Sequence, residues 1–295
     1  MEIDTRFPIK LNTVSDAPEP FRSALAENLP SGDPVRLLVH APAFATEGEK
    51  SPATVLAVTN DGWLVASETE GGASVEKSNF SDILFLELKS ILLLGQLRIC
   101  FAALDKSNSV TIKFETVGDG FYREAIDLML ASIDPVLTGL AETDRNEASI
   151  FETWPMKVRN EAQRYSPRGQ RFLAAIQWLA IFGGSEQQLA PAGALLITER
   201  ELVVIVEEQE LSAEFLPEAP AAEEPKEIFG GIITFVPRLR LKDFRVSHQE
   251  SFGVLALQVG AAHGGEKLEV MFPYDNEKTI SKAMEQMLLS RGSAK

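Results

Sequence analysis

The chain has 295 residues, a formal net charge of −15, 45% hydrophobic and 24% charged residues, and one cysteine. This is the composition of a soluble globular protein with room for two cores of ordinary size, and its acidity argues against nucleic acid and against peripheral contact with anionic lipid, whose phosphates carry the same sign. The lone Cys100 excludes an intramolecular disulfide and a cysteine-built zinc site, and without a roughly 20-residue apolar run or a signal peptide at Met1-Glu2-Ile3-Asp4 the expectation is a cytoplasmic protein with no integral membrane segment.

Residues 1–30 read as an extension carrying one short helix, with Phe21, Leu25 and Leu29 at helical spacing. After the Ser31-Gly32-Asp33-Pro34 turn, Val35 to His40 is a first strand. Asp61-Gly62 between the apolar runs Thr54 to Thr59 and Trp63 to Ala66 predicts a hairpin. Strands follow at Phe80 to Leu88, Gly95 to Ala103 and Ser109 to Glu115, with Cys100 as an alternating strand residue. A helix from about Phe121 to Ile133 aligns Ile126, Met129, Leu130 and Ile133 on one face.

A connector over 135–166 is expected to be helical around Trp154-Pro155 and packed, because Phe151, Trp154 and Val158 need burial. The strand order then returns: Arg171 to Trp178, Ala194 to Ile197, Leu202 to Val206, Thr234 to Leu241, Gly253 to Val259, Lys267 to Phe272. A helix from about Glu277 to Ser290 closes the chain. Gly95 and Gly253, Ile112 and Val270, Phe114 and Phe272, and Leu130 and Leu288 all stand 158 positions apart (253 − 95 = 158). Pro52 and Pro191, and Thr59 and Thr198, stand 139 apart (191 − 52 = 139). One domain-sized unit is therefore present twice, over 31–134 and 167–295, and the second copy has gained an acidic inserted loop at 207–230. The run Phe80 to Leu86 is read as echoed by Phe235 to Leu241.

The Thr54 to Ser67 hairpin followed by the strand Asn79 to Leu86, and Leu195-Leu196-Ile197-Thr198-Glu199-Arg200-Glu201-Leu202-Val203 in the second copy, resemble the bacterial pleckstrin-homology-like group. The resemblance covers roughly Gly32 to Ile133 and Arg168 to Ser290. It implies an α+β fold of two antiparallel β-barrels or curved sheets, each closed by a C-terminal helix. It also implies a binding scaffold for lipid headgroups, peptides or proteins, whose inositide-binding members cluster Lys and Arg on the first two strands and the loop between them. Neither Ala41 to Lys50 nor Gly183 to Gln188 offers that cluster.

Two basic groups are candidate sites. Arg238, Arg240 and Lys242 alternate with Leu239 and Leu241, which on a strand puts three charges on one face near Arg245, a ligand-binding surface for an anion or acidic peptide unless the acidic loop neutralises it. Trp154, Lys157, Arg159, Arg164 and Arg168 suit a protein partner, or a tie between two acidic domains. His40, His248 and His263 lie on separate segments without metal-ligand spacing, and no nucleotide-binding or nucleophile-elbow motif is present. The expectation is a non-enzymatic module with no catalytic residue, metal or cofactor. It would bind a protein partner or itself, with a lipid headgroup or small anion on the basic strand face as the alternative.

Overall fold

The strand ladders of the first half recur in the second half in the same register. The computed structural model describes residues 7–29, 34–46, 49–91, 93–135, 150–165, 170–182, 188–211, 227–249 and 252–289. The first unit contains β1 (Ile9–Lys10), α1 (Phe21–Asn28), β2 (Leu37–Ala41), β3 (Phe44–Thr46), β4 (Glu49–Ser51), β5 (Thr54–Val58), β6 (Gly62–Thr69), β7 (Gly72–Asn79), β8 (Ile83–Ile91), β9 (Leu94–Ala103), β10 (Lys106–Glu115) and α2 (Asp119–Ile133). The second contains α3 (Met156–Tyr165), β11 (Phe172–Trp178), β12 (Ile181–Phe182), β13 (Gln188–Ala190), β14 (Gly193–Thr198), β15 (Glu201–Leu211), β16 (Glu227–Pro237), β17 (Leu241–Gln249), β18 (Phe252–Ala261), β19 (Gly264–Pro273) and α4 (Glu277–Leu289).

Val65 opposite Glu76 on β6 and β7 becomes Val204 opposite Thr234 on β15 and β16, offsets of 139 and 158. Gly95 opposite Phe114 becomes Gly253 opposite Phe272. Even the irregularity between Ile83 and Phe85 in β8 returns between Leu241 and Asp243 in β17. The hairpin turns share one device: Thr59 Oγ1 accepts from the Asp61 and Gly62 amides at 3.3 and 3.2 Å, and Thr198 Oγ1 accepts from those of Arg200 and Glu201 at 3.2 and 3.0 Å. A threonine side chain that satisfies turn amides holds the turn without help from the strands.

The leading helix belongs to the repeat as well. Phe21 and Leu25 of α1 pack on Val55, Ala57, Leu64 and Ala66. Val158 and Ala162 of α3, each 137 positions later, are buried with Ala194, Leu196, Val203 and Ile205, the counterparts of those strand residues. The segment expected as a connector therefore holds the second copy of the N-terminal helix. Residues 136–149 and 166 of that expectation lie outside the described residues.

Among the described residues every strand pairing is antiparallel and the sheets remain open: β1-β2-β5-β6-β7, β10-β9-β8-β16-β15-β14-β11 and β17-β18-β19, with two-stranded ribbons β3-β4 and β12-β13. Among the described residues, four helices and antiparallel sheets make an α+β fold, and no sheet closes into a barrel. The reason lies in the seven-stranded sheet. β8 opens a new sheet after β7, and its free edge is taken by β16 of the other unit, so pairing runs between units instead of curling back within one.

That sheet is apolar on both faces. Leu88, Leu97, Leu196, Val203, Ile233 and Phe235 face a core shared with Val39, Leu56 and α2. Leu84, Phe85, Cys100, Leu195 and Val236 face a second core with Leu255, Phe272 and α4. Strands covered on both sides lose the polar alternation of a half-exposed strand, which is why β14 is buried at every position; β5 of the five-stranded sheet, set between the α1 core and the shared core, is buried throughout for the same reason.

Three local expectations change. β16 ends at Pro237, which has no amide hydrogen to continue a ladder, and Arg238–Arg240 forms a 3-10 turn matching Phe80–Asp82. The true counterpart of Phe80 is thus Arg238, three residues from the echo read in the sequence. The acidic insertion is partly strand, because β15 and β16 pair as far as Leu211 opposite Glu227. Its residues 212–226 lie outside the described residues.

Candidate functional site

The joint between the units carries a polar network that draws on α2, α3, β15 and the turn after β16. β16 pairs with β8 from Gly230 opposite Ile91 to Phe235 opposite Leu86. Beside this ladder α2 seats on the second unit: the Arg123 guanidinium stands 5.2 Å from the Tyr165 ring centre and 5.3 Å from that of Phe235. Asp119, in the first turn of α2, accepts from the Tyr165 hydroxyl at 3.2 Å and from the Arg164 guanidinium. Burial, helped by the Asp119 carboxylate, raises the Tyr165 hydroxyl above its ordinary range, so it remains a donor.

At the other end of α2, Arg238 donates to the Asp134 carboxylate at 3.1 Å with both side chains buried, and Arg200 donates to the Asp134 carbonyl at 2.8 Å. Glu201 begins β15 nearby. Its burial pushes the carboxyl up to about 7, against the lowering effects of the Gln170 amide, which donates to it at 2.9 Å, and of Arg123 and Arg200. The Arg238–Asp134 and Arg164–Asp119 ion pairs each join an element of one unit to an element of the other.

The strand-borne basic face does not form. Because 238–240 is a 3-10 turn, the period of two is lost: Arg238 turns inward to Asp134, while Arg240 donates to the carbonyls of Ile83 at 2.7 Å and Phe80 at 3.0 Å. Lys242 sits in the irregularity of β17 and Arg245 further along it, both exposed. Of the four expected anion ligands, Arg238 is thereby tied to the end of α2 and Arg240 holds the turn against the start of β8.

The connector cluster is divided too. Trp154 stacks edge-on against Phe151 at 4.8 Å, Arg159 reaches the Glu152 carbonyl at 3.5 Å, and Arg164 ties α3 to α2 through Asp119. The Lys157 side chain and all of Arg168 lie outside the described residues. Cys100 is a fully buried strand residue whose thiol is pushed up to about 12 by burial, the opposite of an activated nucleophile. His40, read in the sequence as a histidine without companion metal ligands, is buried in β2 beside Phe21, and burial lowers its affinity for a proton. Among the described residues no three His, Cys, Asp or Glu side chains converge as a metal site, and no helix is long and apolar enough to cross a membrane.

What the fold leaves accessible are strand edges and the grooves beside them. β7 and β17 each have one outer edge unpaired among the described residues. Next to β7, a groove of about 400 Å³ is lined by Asn28, Asp61, Trp63 and Lys77. A second groove of about 360 Å³ runs between α4 and β11, bordered by Phe172, Leu173, Gln286 and Leu289 and crossed by the Arg171–Glu199 ion pair. An apolar cleft of about 270 Å³, with Trp178, Val206, Leu268 and Met271 in its walls, opens between the seven-stranded sheet and β19, and Glu87 and Glu269 stand at it. No protein-family model matches the chain, and no curated protein matches it.

Proposed function

We propose that this chain is a non-enzymatic, cytoplasmic binding and assembly module made of two pleckstrin-homology-like units, which takes up protein partners by strand addition. Each unit supplies a four-stranded antiparallel run, then a three-stranded one, then a helix, the order of elements that suggested the resemblance. One observation carries the reading: the chain already joins its own halves by adding β8 to the edge of β16, and among the described residues the corresponding edge of β7 is open. An open edge offers unpaired backbone donors and acceptors to any extended segment, and pockets alongside supply selectivity. The net charge of −15 favours basic protein partners over nucleic acid.

The test compares retention of native partners by immobilised wild-type protein and by a Val75→Lys variant of equal thermal stability. Val75 lies at the middle of the open edge. A stoichiometric partner held by the wild type and lost with the variant is the expected result. Equal retention by both, or no retained partner and no self-association, sinks the reading.

A further inference from the structure

Internal duplication makes the joint between the units a template for a contact between molecules. In the chain, β8 of the first unit adds to β16 of the second, while α2 seats on Tyr165 and Phe235. The repeat maps β8 onto β17 and β16 onto β7, and both of these strands have their corresponding edge unpaired among the described residues. The seat maps too. Tyr165 corresponds to Asn28 and Phe235 to Lys77, the residues that line the groove of about 400 Å³ beside β7. The first unit thus presents an open strand edge and an open groove in the same relation that, on the second unit, receives β8 and α2.

We infer that the chain associates head to tail with a second copy of itself, β17 of one molecule adding antiparallel to β7 of the next while α4 lies in the groove beside β7. This deepens the assembly reading above and rests on it. Shifting each pair of the internal ladder by 158 positions sets the register: Ile233 opposite Leu88 becomes Val75 opposite Val246, and Thr234 opposite Glu87 becomes Glu76 opposite Arg245. An apolar pair beside an opposite-charge pair is what a favourable antiparallel contact needs. Glu76 and Arg245 are both exposed. A sheet slipped by one residue would lose both matches.

The contact between molecules is weaker than the internal one, for a visible reason. Leu84 and Phe85, which bury the second face of β8, are replaced by Lys242 and Asp243 on β17, and both are exposed. Arg123, which stacks on the seat, is replaced by Ser281 of α4. Backbone pairing and the Glu76–Arg245 match remain, so association is reversible and concentration-dependent. Because the joined surfaces differ, it yields open chains or rings and not a symmetric dimer.

The test mixes full-length Val75→Cys protein with full-length Val246→Cys protein, each shown to melt like wild type, under mild oxidation. Directly opposed strand residues stand within disulfide reach, so the mixed disulfide is expected to form about tenfold faster than with a control cysteine at the exposed Asn108 on β10. Sedimentation of wild type from about 5 to about 500 µM is expected to show a rising mean mass, reduced by Glu76→Arg and restored by mixing Glu76→Arg with Arg245→Glu. No excess of the mixed disulfide over the control, or a constant monomer mass to the top concentration, overturns head-to-tail pairing. In that event, a partner still captured through Val75 leaves the broader binding reading standing, and the absence of any such partner removes both.

Discussion

Arg238, in the turn after β16, and Asp134, at the end of α2, form an ion pair at 3.1 Å with each side chain about 7% exposed. The pair joins two elements of different units that stand 104 positions apart. Replacing Asp134 with alanine leaves a guanidinium buried without its counter-charge, and the expected cost is about 3–5 kcal/mol. Denaturant unfolding followed by tryptophan fluorescence measures it. A loss below about 1 kcal/mol would show that water enters and rescues Arg238.

Glu201 makes stability depend on pH in an unusual direction for a carboxylate. Its folded-state value of about 7 lies above the ordinary 4.5. The folded protein therefore holds a proton that the unfolded chain has released. This contribution is fully present below pH 4.5, declines as pH rises toward 7 and is gone above it. At 1.36 kcal/mol per pH unit it amounts to a few kcal/mol at most. Glu201→Gln should flatten that decline, so the difference in unfolding free energy between variant and wild type grows from pH 4.5 to pH 7. Parallel pH profiles for the two proteins would count against a raised Glu201.

Gly95 and Gly253 are glycine because of the ring across the ladder. A Cβ at Gly95 would lie 2.2 Å from the Phe114 ring, and one at Gly253 would lie 2.3 Å from the Phe272 ring. Gly95→Ala and Gly253→Ala should each destabilise by about 1–3 kcal/mol through overpacking. Coupling Gly253→Ala with Phe272→Leu should recover part of the loss, which a double-mutant cycle detects. Additive losses would place the strain elsewhere than at the ring.

Cutting the chain between residues 135 and 150 should yield two halves that do not fold alone. The first would expose the β8 edge together with Leu84, Phe85, Cys100 and Ala102, all buried against the second unit. The second would lose α2 from its seat on Tyr165 and Phe235. Amide spectra of each half, alone and recombined, decide the matter: dispersed spectra are expected only on recombination. A dispersed spectrum from either isolated half would show that its core is self-sufficient.

Much of the fold is legible in the residues. The offset of 158 marks β8 to β10 and α2 against β17 to β19 and α4, and the structure repeats those ladders pair for pair. The Arg238 to Lys242 pattern misled because alternation of charged and apolar residues looks the same in a strand and in a short 3-10 turn after proline. Five residues are too few to separate the two periods. Glu201, Asp134 and Asp119 carried no signal at all. Each is one carboxylate among many until the partner from a distant segment is known.

The sequence by itself determined the duplication, the hairpins and the two closing helices, because hydrophobic period, turn residues and Gly–Phe pairs act over neighbouring elements and survive in both copies. Only the tertiary structure decided that β8, paired with β9 of its own unit, would add its other edge to β16. Edge pairing is made by backbone groups common to every residue, so the composition of a strand does not name its neighbour. That choice among edges merged the two units into one seven-stranded sheet, and it left β7 and β17 with edges open among the described residues.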